Sequence, residues 1–301
     1  MPKINIPQKP RIIAIVGPTS SGKSDLAIKL ALKFKGEIVS ADSRQVYRGM
    51  DIGTGKVSKK EQRLVPHYLI DVAGPKKIFN VSQFQKLASK KIGNIIQRNK
   101  LPIIVGGTGQ YIDTLIYNFN LPEVPPNYKL RAKLEKQTTK QLFSKLKKLD
   151  PERAKKIDSK NPRRLIRAIE IITYTGEPIG KLRPESPYKV LWLGLNPKDL
   201  NKRISKRLDA RFAQGMITEV KTLQKNGVSY QRLYDLGLEY RFIGQMLQKK
   251  ITPKEMRTNL EIASIQYSKR QMTWFKRNKE IHWVKNLKEA MQPLHAFLRK
   301  A

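Results

Sequence analysis

The sequence predicts an α/β protein in which helices cover both faces of a parallel β-sheet and an all-helical insertion interrupts the chain. Three observations carry this prediction. Short apolar runs alternate with stretches of helical periodicity over the first 117 residues, and strand character returns near residue 190. Between these parts, from about residue 118 to 187, the periodicity is helical. Alternating strands and helices favour a parallel sheet, because each crossover lays a helix on one of its faces.

The strands are predicted from short apolar runs bounded by turn residues. Residues 11–16 form the first run, and Gly17-Pro18 ends it. Further strands are predicted at 37–40, 101–105, 189–195 and 281–284. Helical periodicity predicts helices at 24–34 and 82–99 and long basic helices at about 197–226 and 252–277.

A proline-rich linker marks the start of the insertion. Pro122, Pro125 and Pro126 follow the change of periodicity near residue 118. Proline removes a backbone donor and fixes φ, so a cluster of prolines ends regular structure. We therefore expect a core formed by 1–117 and 188–301, with basic helices in its C-terminal part, and a separate helical domain formed by 118–187.

The charge of the chain is its most unusual global property. Lysine and arginine number 61 against 24 aspartates and glutamates, which gives a formal net charge of +37. This is far more than solubility requires, and a field of this sign attracts polyanions. Nucleic acid is the first candidate partner, and a generally basic composition without a bearing on partners is the alternative.

Several classes of site are excluded by composition. The chain has no cysteine, so disulfides, thiolate nucleophiles and cysteine-ligated zinc are ruled out, and three scattered histidines make a histidine metal site unfavourable. The apolar stretch nearest the N-terminus, 12–16, is too short for a signal peptide core or a membrane span. We expect a cytoplasmic protein without a membrane partner.

A phosphate-binding loop follows the first predicted strand. Residues 17–24 read GPTSSGKS, which matches G-x-x-x-x-G-K-[ST] between a strand and a helix. Glycines let successive backbone N–H groups surround an anion, Lys23 adds a positive charge, and the Ser24 hydroxyl can bind Mg²⁺. The pattern predicts a P-loop NTPase-like sheet with a phosphate site formed by Gly17, Pro18, Thr19, Ser20, Ser21, Gly22, Lys23 and Ser24. Kinases, ATPases and diphosphate-binding enzymes share this loop, so it leaves the reaction open.

Two further glycine-containing loops follow neighbouring parts of the predicted sheet. Asp42 comes directly after the strand at 37–40, a glycine-spaced turn occupies 49–56, and Gly106-Gly107-Thr108 ends the strand at 101–105. Ligands of open α/β sheets bind at the carboxyl ends of strands, so these loops are expected to converge on the phosphate site. Taken alone, Asp42 remains a base, a Mg²⁺ ligand, a helix cap or a surface acid.

Several multi-residue blocks, in order, resemble those of the tRNA dimethylallyltransferases. Besides the phosphate loop, the blocks of the first half are DSRQVY at 42–47, GMDIGT at 49–54, PHYLID at 66–71 and GGTGQY at 106–111. The later ones are NPRRLIRAIE at 161–170, Arg211-Phe212 with Gly215-Met216, and KRQMTWF at 269–275. The resemblance therefore covers most of the chain. It departs from the family at Tyr68, where a second histidine is common, and at Glu239, where glycine is common.

The resemblance implies transfer of a dimethylallyl group from dimethylallyl diphosphate to N6 of the adenosine on the 3′ side of the anticodon, position 37 of tRNA. Asp42 is expected to accept the amine proton and Thr108 to position the amine. Lys23, Arg211, the loop N–H groups and Mg²⁺ on Ser24 are expected to stabilise the departing diphosphate.

The family also implies that the target base leaves the anticodon stack to reach the diphosphate. The residues expected to contact tRNA are Asp42, Ser43, Arg44, Gln45, Thr108, Arg131, Arg163, Arg164, Leu165, Ile166, Arg167, Lys269, Arg270, Gln271, Thr273, Trp274 and Lys276. Trp274 and Phe275 fit either base stacking or the protein core, since aromatic residues at helical spacing serve both. The domain at 118–187 is expected to contact tRNA, and the protein is expected to be a monomer.

Three other functions stay open from the sequence. An isopentenyltransferase acting on free adenine nucleotides would share the phosphate loop and Asp42, but it needs neither the insertion nor the basic helices. A P-loop kinase would require an arginine-rich lid, which the sequence does not display. A non-catalytic RNA-binding protein would have no need of Lys23, Ser24 and Asp42.

Overall fold

The computed structural model describes residues 9–119, 121–179 and 185–299. The chain divides into two compact units, one formed by 1–118 with 185–301 and the other by 119–184. Within the described residues, no helix is both long enough and apolar enough to cross a lipid bilayer.

The first unit is built on a parallel sheet of six strands, counted over the described residues. The strands are β1 Arg11–Val16, β2 Gly36–Ser40, β3 His67–Tyr68, β4 Leu101–Gly106, β5 Lys189–Gly194 and β6 His282–Trp283. Their order is β3-β2-β4-β1-β5-β6, so β1 lies inside the sheet between β4 and β5. The parallel sheet predicted from the sequence is confirmed.

Helices account for most of the remaining described residues of both units. They are α1 Lys23–Lys33, α2 Lys59–Leu64, α3 Val81–Gln97, α4 Gly109–Ile116, α5 Tyr128–Leu134, α6 Thr139–Leu149, α7 Pro151–Ala154, α8 Pro162–Thr175, α9 Leu200–Ala213, α10 Met216–Lys225, α11 Tyr230–Leu236, α12 Leu238–Leu247, α13 Pro253–Phe275 and α14 Leu287–Arg299. Helices α5 to α8 belong to the second unit, and the others to the first.

The sheet is buried on both faces because side chains alternate along each strand. Ile12 and Ala14 of β1 point to one face, in a core that also contains Ile92 of α3 and Ile112 of α4. The intervening residues, such as Ile13, point to the other face, where the core includes residues of α1 and α14. Near-continuous apolar runs are therefore required in the central strands, which is why the sequence reveals them.

A third core joins the helices that follow β5 to the loop that follows β2. Val46 and Met50 of that loop are fully buried, in the same cluster as Leu208 of α9, Tyr240 of α12 and Leu260 of α13. This packing holds the loop after β2 against the C-terminal helices. It brings residues that are far apart in sequence to the carboxyl edge of the sheet.

Some predicted elements need correction. The single basic helix expected at about 197–226 is two helices, α9 and α10, because the chain turns at Gly215 with φ of 93°. Strand β3 was not predicted, because its two residues are too few to leave a clear pattern, whereas the strand predicted at 281–284 is present as the two-residue β6. Helix α13 starts where predicted, since Thr252 and Glu255 form a capping box and Pro253 occupies the first turn.

The second unit has its own apolar core. Leu134 of α5, Leu142 and Leu146 of α6 and Ile169 of α8 are buried together. Helix α8 is capped at its N-terminus by Asn161, whose side chain accepts a hydrogen bond from the Arg164 amide, and at its C-terminus by Gly176 with φ of 74°.

Candidate active site

The phosphate loop connects β1 to α1 in a conformation that depends on its glycines. Gly17 has φ of 151°, and an added Cβ there would lie 2.6 Å from the Leu195 carbonyl oxygen. Gly22 has φ of 91° and directly precedes α1. The Lys23 ammonium donates to the Pro18 carbonyl oxygen at 3.0 Å, so it lies against the loop. A helix N-terminus and a lysine thus meet at the site that the sequence assigns to phosphate.

Gln271 of α13 fastens the phosphate loop to the loop after β4. Its Oε1 accepts from the Thr19 backbone N–H at 2.9 Å, and its Nε2 donates to the Gly107 carbonyl oxygen at 2.8 Å. The residue is only 7% exposed. The side-chain amide of Gln271, which was predicted to contact tRNA, is therefore buried and bonded to the backbones of two loops.

Asp42 and Thr108 come together at the carboxyl ends of the neighbouring strands β2 and β4. Asp42 Oδ1 accepts from the backbone N–H groups of Arg44 at 2.8 Å and Gln45 at 3.3 Å, while Thr108 Oγ1 accepts from the Ser43 N–H at 3.2 Å. Neither backbone bond to Asp42 uses Oδ2. The structure therefore places a carboxylate and a hydroxyl on joined loops beside the phosphate loop.

Gln45 is occupied within the protein. Its side chain accepts from Ser40 Oγ at 3.1 Å and donates to the Gly55 carbonyl oxygen at 3.2 Å. The amide thereby ties the end of β2 to the turn at 49–56. Arg44, in contrast, lines the cavity described below.

Two arginines of α9 lie against the same turn. Arg207 Nη2 donates to the Gly55 carbonyl oxygen at 3.3 Å, and a Cβ on Gly55 would overlap with the guanidinium groups of both Arg207 and Arg211. Burial and, to a smaller extent, the positive charge of Arg211 lower the pKa of Arg207 to about 10. Burial and the charge of Arg207 likewise lower the pKa of Lys23 to about 8. Cations this crowded indicate a site built for an anion.

Arg207 was missed by the sequence analysis, which named only Arg211. A signal was present, because Arg203, Arg207 and Arg211 recur every four residues on one face of the predicted helix. What the sequence could not provide is the position of this face relative to the turn at Gly55.

Glu219 of α10 is a second residue that sequence reasoning missed. Its carboxylate accepts hydrogen bonds from three consecutive backbone N–H groups, at 2.7 Å from Asp51, 2.7 Å from Ile52 and 3.0 Å from Gly53. The Tyr240 hydroxyl donates to it as well, at 2.8 Å. Glu219 therefore anchors the turn that carries Gly55 and packs against the two arginines.

A cavity of about 290 Å³ opens beside these groups. Its wall includes Asp42, Arg207, Arg211, Glu239 and Tyr267. Arg211 Nη1 donates to Glu239 Oε1 at 3.0 Å, so a carboxylate already pairs with one of the cavity's cations. Burial, together with the charge of Asp42, raises the pKa of Tyr267 to about 12, which keeps this phenol neutral.

The predicted tRNA residues of α13 fall into two groups. Lys269, Thr273 and Lys276 are exposed, as is Arg270, which also lines the cavity. Trp274 is half-buried and donates from Nε1 to Asp113 at 2.8 Å.

The two aromatic residues of this helix have structural partners. The Trp274 ring covers Gly109 on one side, where a Cβ would overlap with it, and Arg277 stacks at 4.1 Å from the ring centroid. Phe275 is 2% exposed and belongs to the sheet core. For Phe275, the core interpretation is correct and base stacking is excluded.

In the second unit, two predicted tRNA arginines surround a buried carboxylate. Glu170 is 1% exposed and accepts from Arg131 Nε and Nη2, each at 2.8 Å, and from Arg167 Nη1 at 2.5 Å. The Asn127 N–H adds a fourth bond at 2.7 Å. Burial by itself would raise the pKa of Glu170, but the bonds from Arg131 and Arg167 lower it to about 2. Both arginines thus have a structural role inside the unit.

The remaining predicted residues of α8 divide by exposure. Arg163 and Arg164 are exposed, whereas Leu165 and Ile166 are 0% and 7% exposed and lie in the unit's core. The side chains of Leu165 and Ile166, which were predicted to contact tRNA, therefore pack inside the second unit. Leu165 and Ile166 directly follow the two arginines and lie on the face of the helix that is buried in this core.

The side chains beside the phosphate loop could hold a magnesium ion only if phosphate oxygens supplied part of its coordination. Among the described residues, no group of three or more histidine, aspartate or glutamate side chains could hold a metal. Ser24 and Asp42 do line one small cavity with Lys23. An oxygen donor or two from protein, completed by phosphate oxygens and water, is a typical Mg²⁺ environment.

Comparisons with known proteins show which family the chain resembles over its length. A family model described as IPP transferase matches residues 45–278. The tRNA dimethylallyltransferase of Halothermothrix orenii is 41% identical over 288 residues, covering 92% of this chain and 88% of that protein. The enzyme of the same name from Alkaliphilus oremlandii is 41% identical over 285 residues and covers 91% of each chain.

Solved structures show the same likeness. The tRNA isopentenylpyrophosphate transferase of Bacillus halodurans matches with a TM-score of 0.72 and 36% identity, over 97% of this chain and 96% of that one. A eukaryotic dimethylallyltransferase, described as acting on tRNA, matches with a TM-score of 0.79 and 26% identity, over 94% of this chain and 75% of that one. The fold class predicted from the sequence is confirmed.

Proposed function

The chain belongs to the IPP transferase family, and we propose that it transfers a dimethylallyl group from dimethylallyl diphosphate to N6 of adenosine 37 in tRNA, with release of diphosphate. One observation carries the proposal beyond family membership. A phosphate loop, a cluster of cations and the Asp42 carboxylate with the Thr108 hydroxyl meet at one edge of the sheet. A donor diphosphate and a nucleophilic amine need these two kinds of group side by side.

The diphosphate is held by the phosphate loop and the cations beside it. Backbone N–H groups at the start of α1 and the charges of Lys23, Arg207 and Arg211 bind its oxygens. A magnesium ion, held by the Ser24 hydroxyl with phosphate oxygens, would add positive charge at the leaving group. As the C1–O bond breaks, its electron pair moves to the diphosphate, and these fixed charges stabilise the developing anion.

The loops after β2 and β4 carry the two groups that act on the amine, Asp42 and Thr108. The N6 nitrogen attacks C1 of the allyl group, a new C–N bond forms, and Asp42 takes the proton that nitrogen loses. The Ser43 N–H, which donates to Thr108 Oγ1, fixes this hydroxyl close to Asp42. Thr108 then positions the amine, because its Oγ1 accepts a hydrogen bond from an N6–H and leaves the nitrogen lone pair free to attack.

Exposed basic residues provide the surface for tRNA. Arg270 at the cavity, with Lys269 and Lys276 on the same helix, and Arg163 and Arg164 in the second unit are available to phosphates. The net charge of +37 is consistent with a polyanionic partner. The target base must leave its stack to reach the cavity, at a cost of a few kcal/mol. We propose that this takes place in the cytoplasm on a monomeric enzyme.

The test is a transfer assay with labelled dimethylallyl diphosphate and Mg²⁺. The acceptors are an unmodified anticodon stem-loop, the same stem-loop with guanosine at the target position, and free AMP, ADP or ATP. We expect label only in the adenosine stem-loop. Label in free nucleotides would favour the mononucleotide enzyme, and transfer of the γ-phosphate of ATP without use of the prenyl donor would contradict the proposal.

A further inference from the structure

Glu239 places a second carboxylate in the cavity, beside that of Asp42. We propose that Glu239 is an internal counter-ion of the diphosphate site, which pairs with Arg211 while the site is empty and gives Arg211 up when diphosphate binds. The inference rests on the proposed function, because it assumes that diphosphate binds at this site.

The guanidinium of Arg211 is fixed in place and has unused capacity. The residue is 7% exposed, and its guanidinium packs against Gly55. Nη1 donates to Glu239 at 3.0 Å, while Nε is buried without a hydrogen-bond partner among the described residues. A buried donor without an acceptor is unfavourable, so this side chain is prepared for one more oxygen than the protein supplies.

The charges around Arg211 explain why a counter-ion is useful before substrate arrives. Arg207 and Arg211 lie against the same glycine, and both charges act on Lys23. Mutual repulsion among these cations disfavours the empty site. Glu239 offsets part of the repulsion at the one cation with which it forms an ion pair.

The two members of the pair differ in their freedom to move. The Glu239 side chain is 21% exposed, more than twice the 9% of Arg211, and it stands in the first turn of α12 after Gly237. Diphosphate carries more negative charge than one carboxylate and can accept two N–H groups of a guanidinium. We therefore expect diphosphate to take Arg211 and Glu239 to turn towards solvent.

This exchange makes binding weaker than the cations alone would allow. Displacing Glu239 and bringing two anions close together both cost free energy, which is returned when the product leaves. Glu239 is thus a positioning residue that lowers the affinity for diphosphate and favours its release.

The experiment measures binding of inorganic pyrophosphate with Mg²⁺ by calorimetry. Glu239→Gln keeps the shape of the side chain and removes the charge, and we expect binding about tenfold tighter than in the wild type. In an Arg211→Gln background, the same change should alter affinity less than about threefold, because the paired cation is gone. Glu261→Gln is the matched control, since Glu261 pairs with Arg257 outside the cavity and its loss changes net charge equally.

The outcomes separate the inference from the proposed function. Unchanged or weaker pyrophosphate binding by a folded Glu239→Gln variant would overturn the inference, as would a gain of the same size in Glu261→Gln or in the Arg211→Gln background. Absence of pyrophosphate binding by the wild type would instead refute the proposed site itself. In transfer assays, the inference also requires Glu239→Gln to lower the KM for the donor while leaving thermal unfolding within a few degrees of the wild type.

Discussion

Removing the charge of Glu219 tests whether the turn at 51–53 positions the cation cluster. Glu219→Gln preserves the size of the side chain but gives it only one acceptor oxygen. If that oxygen serves the N–H groups of Asp51 and Ile52, the new amide nitrogen faces the Gly53 N–H, which loses its acceptor.

The magnitude follows from the hydrogen bonds affected. An orphaned buried N–H costs about 1–3 kcal/mol, and two bonds that change from a charged to a neutral acceptor lose about 0.5–1 kcal/mol each. The Tyr240 hydroxyl can turn and accept, so its contribution is small. The sum is about 2–5 kcal/mol, concentrated in the turn that supports Arg207 through the Gly55 carbonyl.

Urea unfolding and donor kinetics measure the two consequences. We expect the free energy of unfolding to fall by about 2–5 kcal/mol and the KM for dimethylallyl diphosphate to rise at least about tenfold, because Arg207 loses its fixed support. Glu123→Gln, the same change on an exposed loop residue, should alter neither. Lower stability with an unchanged KM would show that the turn is structural only, and no change in either quantity would refute the account of this carboxylate.

Three other predictions address the acid group, the second unit and the charged surface. Asp42→Ala should reduce transfer by about 10²–10⁴-fold while pyrophosphate still binds, since the carboxylate serves the amine; simultaneous loss of pyrophosphate binding would point to a metal or structural role. Carbon-13 NMR should find the pKa of the Glu170 carboxyl near 2, so its contribution of about 3 kcal/mol is present above pH 4.5 and is lost as pH falls towards 2; a value near the usual 4.5 would contradict the pairing with Arg131 and Arg167. The affinity for tRNA should fall steeply with salt concentration, and a flat response would remove the explanation offered for the charge of +37.

The fold was predictable where the burial of a segment restricts the types of residue that the segment itself can contain. Central strands such as β1 and β4 are buried on both faces, so their apolar runs are visible in the sequence. The two-residue strand β3 has no such pattern, since its place in the sheet depends on its pairing with β2. The division between α9 and α10 was also missed, because the surrounding periodicity continues across the turn at Gly215.

The candidate site was predictable to a similar extent. The phosphate loop is a local motif, and the order of strands and loops led to the expectation that Asp42 and Thr108 would share an edge. The roles of Gln271 and Glu219 were not predictable, because their partners are distant backbone groups. Gln271 accepts from the Thr19 amide, 252 residues away, and Glu219 accepts from the Asp51 amide, 168 residues away. Backbone donors look the same at every position of a sequence.

The sequence by itself determined the elements whose causes are local: the glycines and lysine that shape an anion-binding loop, the apolar runs of the inner strands and the excess of basic residues. Only the tertiary structure decided how basic and acidic side chains are used. Arg131 and Arg167 surround Glu170, Arg211 meets Glu239, and Arg163 stays exposed. The physical reason is that the effect of a charge depends on its distance from other charges and from water, and folding sets these distances.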